Sequence, residues 1–288
     1  MLSIINTADI FNRRPLVNDN MDCIFSPDDI DNLPQPSDLI TKDGLTTVNA
    51  HDITIITGTE AARTALFAKM LAATVLTREY PFAPRMTSDL VDGKVLWIDS
   101  VNSFQATAQL AKDMKQLCNA NASNFRIAAL TALGTGQEFY ETTRDTIIHA
   151  INDFVPHLVI INNLDKLFPY AGHGFAFGFV EYLRDFVAAH DSAVCAIGHN
   201  LIGKVKKTTG PVGEILYPIA CTVYKVGERS KKESAITRVS CYKTFQRCPQ
   251  DFAFTINDFN FPQQVGSEQE PDTQQLSQQP INQVDKSD

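Results

Sequence analysis

The sequence predicts a doubly wound, mainly parallel α/β sheet finished by antiparallel strands, and three observations carry that prediction. Short apolar, β-branched runs do not alternate with polar residues, as strands buried on both faces require. They alternate in the chain with long segments of helical periodicity, which points to parallel strands joined by crossover helices. After residue 215 the helices stop and three strand-like runs follow, joined by polar turns.

The first strand is ITIIT (53–57), followed by KVLWID (94–99), FRIAAL (125–130), HLVIIN (157–162) and AVCAIG (193–198). Helices are expected between them, near 60–78, 103–120, 136–154 and 175–190. The closing runs are IACTVYKV (219–226), AITRVSCYKT (235–244) and DFAFTI (251–256), with GERSKKES as the turn of an antiparallel hairpin. This core spans 46–261. Residues 1–45 read as an N-terminal arm, because Ser26–Asp38 (SPDDIDNLPQPSD) is rich in proline and acid. Residues 262–288 are rich in glutamine, proline and acid, bury too little apolar surface to offset their ordering entropy, and read as a disordered tail.

Composition bounds the function. The 288 residues carry a formal charge of −8 and are 44% hydrophobic, enough for a sizeable core without metal or disulfides. A protein held on nucleic acid by overall charge is excluded, although a local basic patch is not. No run reaches the roughly 18 apolar residues of a membrane helix, and MLSIINTADIFNRR lacks a basic start followed by an apolar stretch. No membrane association and a cytoplasmic location are therefore expected. Six dispersed cysteines without a C-x-x-C pair read as reduced, buried thiols. Six dispersed histidines show no metal-ligand spacing, so no metal site is expected.

In an open α/β sheet, ligands bind at the carboxyl ends of the strands. The first strand–helix turn here is ITIITGTEAARTALFAKMLAATVL. A phosphate-binding loop, G-x-x-x-x-G-K-[ST], needs glycines to curl amides around phosphate, a lysine for the terminal phosphates and a hydroxyl for magnesium. Counting from Gly58 puts Arg63 at the second glycine, Thr64 at the lysine and Ala65 at the hydroxyl. Sliding by one puts Arg63 at the lysine and Thr64 at the hydroxyl, and loses the first glycine to Thr57. Glu60, after Thr59, brings a carboxylate into the loop that should hold an anion. Arg63 at a helix start could still clamp one. An ordinary strand–turn–helix and an altered phosphate site both fit these residues.

The arrangement resembles the RecA-like P-loop ATPases. It is most similar to the small RecA-type ATPases of Bacteroidetes plasmids and mobilisable elements, relatives of the hexameric RepA helicases. The resemblance covers about residues 35–260 and rests on five features in order: PQPSDLITKDGLTTVNAHD, GTEAARTALFAKMLAATVL, GKVLWIDS, HLVIINNLDKL and the IGHN loop with its hairpin. It implies a RecA-like fold, a nucleotide site, oligomers and single-stranded DNA as partner. The family pattern I-D-x-E reads WIDSVN, so Asp99 survives and Val101 stands at the water-activating glutamate. Asn162 stands where the metal-holding aspartate belongs, with Asp165 three residues on. His199 and Asn200 occupy the place of a polar sensor. Lysine, acid and metal-holding aspartate are degraded together, so efficient ATP hydrolysis is not expected, and no catalytic residue is assigned.

Other segments have weaker readings. Lys204, Lys206 and Lys207 in NLIGKVKKTTGPVGE stand where channel loops of RecA-like rings touch single-stranded DNA, or form a solvated basic loop. Arg229, Lys231 and Lys232 could complete a neighbour's site or simply tip a hairpin. FPYAGHGFAFGF (168–179) could be a lid, an oligomer contact or packing beneath the next helix. Three functions are thus open. One is a non-catalytic structural or regulatory subunit in replication or mobilisation of a mobile element, acting as a homo-oligomer or with a protein partner. The second is a weak DNA motor using Arg63, Asp99 and Asp165, with ATP bound weakly, with or without magnesium. The third is a binding module for phosphate or another anion.

Overall fold

The computed structural model describes residues 37–58, 61–118, 123–133, 136–199, 210–228, 236–244 and 249–265. The strands are β1 (Asp38–Lys42), β2 (Leu45–Asn49), β3 (Ile53–Gly58), β4 (Met86–Thr87), β5 (Val95–Asp99), β6 (Phe125–Ala129), β7 (Leu158–Asn162), β8 (Ala193–His199), β9 (Thr222–Glu228), β10 (Thr237–Thr244), β11 (Phe252–Ile256) and β12 (Pro262–Gln264). The helices are α1 (Ala61–Thr77), α2 (Phe104–Cys118), α3 (Tyr140–Phe154), α4 (His173–Ala189) and α5 (Gly210–Ile219).

Nine strands form one sheet in the order β12-β11-β10-β9-β3-β8-β7-β5-β6. From β9 to β6 the neighbours run parallel, and β10, β11 and β12 are antiparallel. The α/β architecture expected from the sequence, with its antiparallel finish, is the one observed.

Alternation along each parallel strand divides the interior into two cores. Val95 and Trp97 of β5, Leu158 and Ile160 of β7, and Cys195 and Ile197 of β8 face α1 and α2. Leu96, Ile98, Val159, Ile161, Val194 and Ala196 face α3, α4 and α5. Helix α1 is apolar nearly all round, with Phe67, Ala68, Met70, Leu71, Ala72, Ala73, Val75 and Leu76 buried. A helix of that kind must be enclosed, and the small sheet β2-β1-β4 lies over it.

That small sheet was not anticipated. Its hairpin turns at Asp43 and Gly44, both at positive φ (55° and 75°), with Lys42 paired to Leu45. Two positive-φ residues make the tight turn whose twist matches a hairpin, and Asp-Gly is its favoured sequence. Ordered strand therefore begins at Asp38, inside the segment read as an arm. At the other end β12 runs three residues into the segment read as a tail, pairing with β11. Tyr80 donates its hydroxyl to the Pro262 carbonyl at 2.9 Å there.

Helix α5 was also missed. Its opening Gly-Pro reads as a turn, yet proline is tolerated in a helix's first turn because its missing N–H needs no partner there. Gly210 takes φ +65° and sits against the Asp165 carbonyl, where an added Cβ would lie 3.4 Å away.

The aromatic stretch after β7 is largely packing. Phe168 and Phe179 are buried, and Phe168 makes edge contacts with Tyr140, Phe175 and Phe179 at centroid distances of 5.5, 5.1 and 5.4 Å. Tyr170 and Phe177 remain exposed. Cys118, Cys195 and Cys221 are free thiols, whereas Cys241 is disulfide-bonded, against the reading of all six as reduced. Among the described residues no helix is long and apolar enough to cross a membrane.

Candidate functional site

Of the residues singled out in the sequence, Gly58, Asp99, Asn162 and His199 stand at the carboxyl ends of β3, β5, β7 and β8. Strand pairing sets them side by side: Asp99 is in register with Asn162, and Gly58 with His199. Thr59, Glu60, Asn200, Lys204, Lys206 and Lys207 lie outside the described residues, and so does the side chain of His199.

Asp99 ends β5, fully buried, pointing to the side of α1 and α2. Its Oδ1 accepts the backbone N–H groups of Val101 at 3.1 Å and Asn102 at 3.0 Å, and the Asn162 amide at 3.4 Å. Its Oδ2 accepts the Asn102 side-chain amide at 2.7 Å and the Thr107 hydroxyl at 3.4 Å. A carboxylate has about four lone-pair directions, and five donors surround this one. An aspartate that takes amides two and three residues ahead is the standard device for turning a chain. Ser103 then caps α2, accepting the Ala106 N–H at 3.3 Å.

Asn162 and Ser100 complete the strand-end lock. Asn162 is buried, and the Ser100 hydroxyl donates to the carbonyl oxygens of Asn162 and Asn163 at 2.8 and 2.9 Å. Asn163 adopts the left-handed conformation (φ 71°), a place asparagine tolerates. It turns the chain into the 3-10 turn Leu164–Lys166 that carries Asp165. Ser100, Asn102 and Thr107 were not recognised in the sequence. The D-x-x-N spacing of Asp99 and Asn102 is the one local signal for them.

At the first strand–helix turn, Gly58 is cramped. A Cβ there would lie 2.2 Å from the Val226 carbonyl oxygen of β9 and 2.8 Å from the Thr64 methyl. The glycine thus serves close approach of β3 to its neighbours. Thr64 is fully buried behind it. Arg63 reaches sideways, its Nη1 donating to the Thr237 hydroxyl of β10 at 2.7 Å.

Among the described residues, the arrangement at Asp99 is poorly suited to holding magnesium. Beside Gly58 there is no room for a side chain, because the Val226 carbonyl and the Thr64 methyl close in on its α-carbon. The surviving aspartate is surrounded by protein donors, and the residue beside it is a neutral amide whose NH2 faces that carboxylate, a weaker partner for magnesium than a second carboxylate. Cys195 is buried in β8, and that burial pushes its thiol up to about 12, so it is not a nucleophile at neutral pH. A groove of about 390 Å³ lies between α2 and the edge strand β6, lined by Phe104, Thr107, Ala108, Phe125 and Ile127, and meets the strand-end crevice through Thr107.

Among solved structures, the chain is similar to a KaiC-like protein of the hyperthermophilic archaeon Pyrococcus horikoshii. The TM-score is 0.56 at 8% sequence identity, over 81% of this chain and 99% of that one. No family model matches the sequence. No curated protein matches it either. The likeness shows a RecA-like fold.

Proposed function

We propose that this chain is a RecA-like subunit whose nucleotide site has become structural, serving as a non-catalytic structural or regulatory component in DNA replication or mobilisation of a mobile element. It acts as a homo-oligomer or with a protein partner, on single-stranded DNA.

The observation that carries the reading is the state of Asp99. A general base or metal ligand must offer a lone pair to water or cation. The Asp99 lone pairs face five protein donors instead, and no solvent reaches them. The crowding of Gly58 and the turn of Arg63 toward Thr237 support the same reading from the other side of the crevice. The mobile-element setting rests on the sequence resemblance.

Titration calorimetry with ATP, with and without magnesium, tests it. No saturable heat is expected at high protein concentration, and no turnover with or without single-stranded DNA. Micromolar binding with DNA-stimulated hydrolysis would overturn the reading in favour of a motor. Phosphate binding without magnesium dependence would favour an anion module.

A further inference from the structure

We propose that the groove between α2 and the edge strand β6 binds a small linear carboxylate with an apolar body, its anionic head at Lys115. The site goes beyond the proposed DNA role and does not depend on it.

The groove is narrow and apolar because its walls carry small residues. On α2, Ala108 and Ala111 stand three apart on one face and both line it. On β6 the alternate residues Phe125, Ile127 and Ala129 form the opposite wall. Its volume of about 390 Å³ falls within the range of small-molecule sites. Helix α2 rises about 12 Å from Thr107 to Lys115, and β6 spans about 13 Å from Phe125 to Ala129, so the space suits a linear body.

Charge marks one end of it. Helix α2 joins the parallel strands β5 and β6 and so runs back along them. Thr107 reaches Asp99, the register partner of Ala129, which leaves Lys115 at the Phe125 end. Lys115 is exposed and makes no ion pair among the described residues. Asp113, the only acid of α2, is held by Lys69 at 3.0 Å and by Gln109 at 2.8 Å. A cation at one end and the Asp99 carboxylate behind Thr107 at the other orient a monoanion, head to Lys115 and tail toward Thr107.

Phe104 calls for the apolar body. It opens α2 with 74% of its surface exposed, and its ring lines the groove at the Thr107 end. A chain lying along Ala108 and Ala111 covers part of that ring, and removing apolar surface from water drives such binding. Lys115 is the only charged residue lining the groove, so one anionic head is matched and a polyacidic strand is not.

The test is titration calorimetry of the full chain with monomeric hexanoate, octanoate and decanoate, with Trp97 emission as a local reporter. Trp97, the only tryptophan, is the register partner of Ile127 and faces α2. Affinity should rise about fourfold per added methylene until the groove is filled. Ala111→Phe, at an exposed helix position, puts a ring in the groove and should abolish decanoate binding. Lys115→Glu should weaken decanoate roughly fivefold at low salt and leave decanol unchanged. Urea midpoints show that each variant is folded. An equal effect of Lys115→Glu on decanoate and decanol overturns the anionic head. Decanoate binding retained in Ala111→Phe overturns the site. No binding to wild type overturns the proposal outright, and capture of a peptide of alternating glutamate and valine in its place reassigns the groove to an added β-strand.

Discussion

Asn162 donates its side-chain amide to Asp99 at 3.4 Å, across the register pair that ends β7 and β5. The pair is buried, and a second carboxylate in place of the amide would turn one hydrogen bond into a repulsion. Asn162→Asp is therefore expected to destabilise the protein by about 2–4 kcal/mol at pH 7. Like charges raise the pKa of one partner, so the loss should shrink toward pH 5. Urea midpoints at the two pH values check this. An unchanged midpoint would mean that the crevice still accepts two acids, as a metal site would.

Arg63 bears on motor and structural readings in opposite ways. Its hydrogen bond to Thr237 ties the start of α1 to β10. Removing it in Arg63→Ala should cost about 1 kcal/mol, with phosphate release from ATP unchanged from background. A motor would instead lose turnover with stability nearly intact. Paired denaturation and ATPase assays separate the two.

Gly58 has no room for a side chain. In Gly58→Ala the new carbon meets the Val226 carbonyl oxygen at 2.2 Å, and backbone yields less readily than a side-chain tip. The expected cost is about 1–3 kcal/mol, and more if β9 cannot shift. The fall in thermal midpoint should match that of Gly58→Ser, since both clash at the same carbon.

His157 sits at the opposite end of the sheet, where its Nδ1 accepts the Lys94 backbone N–H at 3.0 Å. Accepting requires the neutral ring. Burial first, then the Lys94 charge, lower its pKa below 6.5, and Asp191 opposes them. The unfolded chain therefore binds more protons than the native one just below pH 6.5. This contribution to stability is present above that pH and is lost as pH falls toward the lower folded value. Urea midpoints should drop between pH 7.5 and 5.5, and the drop should be smaller in His157→Asn. An equal drop in both proteins would assign the acid sensitivity to other groups.

Much of this protein was legible in one dimension. Buried parallel strands are continuous apolar runs, because both faces are covered, and 53–57, 157–162 and 193–198 carry that pattern without regard to their neighbours. Helix periodicity placed α1 to α4 for the same reason: a side chain's face depends on its position along its own helix. That lysine, glutamate and aspartate are missing from the places the resemblance assigns them was equally readable, since motif spacing is local. The Asp43–Gly44 hairpin has a local signal too, in its turn residues.

Tertiary structure decided the rest. No spacing reveals that Gly58 abuts Val226, 168 residues on, or that Arg63 turns to Thr237, because those contacts depend on β9 and β10 joining the sheet beside β3. The role of Asp99 likewise depends on which donors the fold brings to it: Thr107 from α2 and Asn162 from β7. A residue's identity sets what it can accept or donate. The through-space neighbours assembled by the sheet decide whether that capacity is spent inside the protein or left for a ligand.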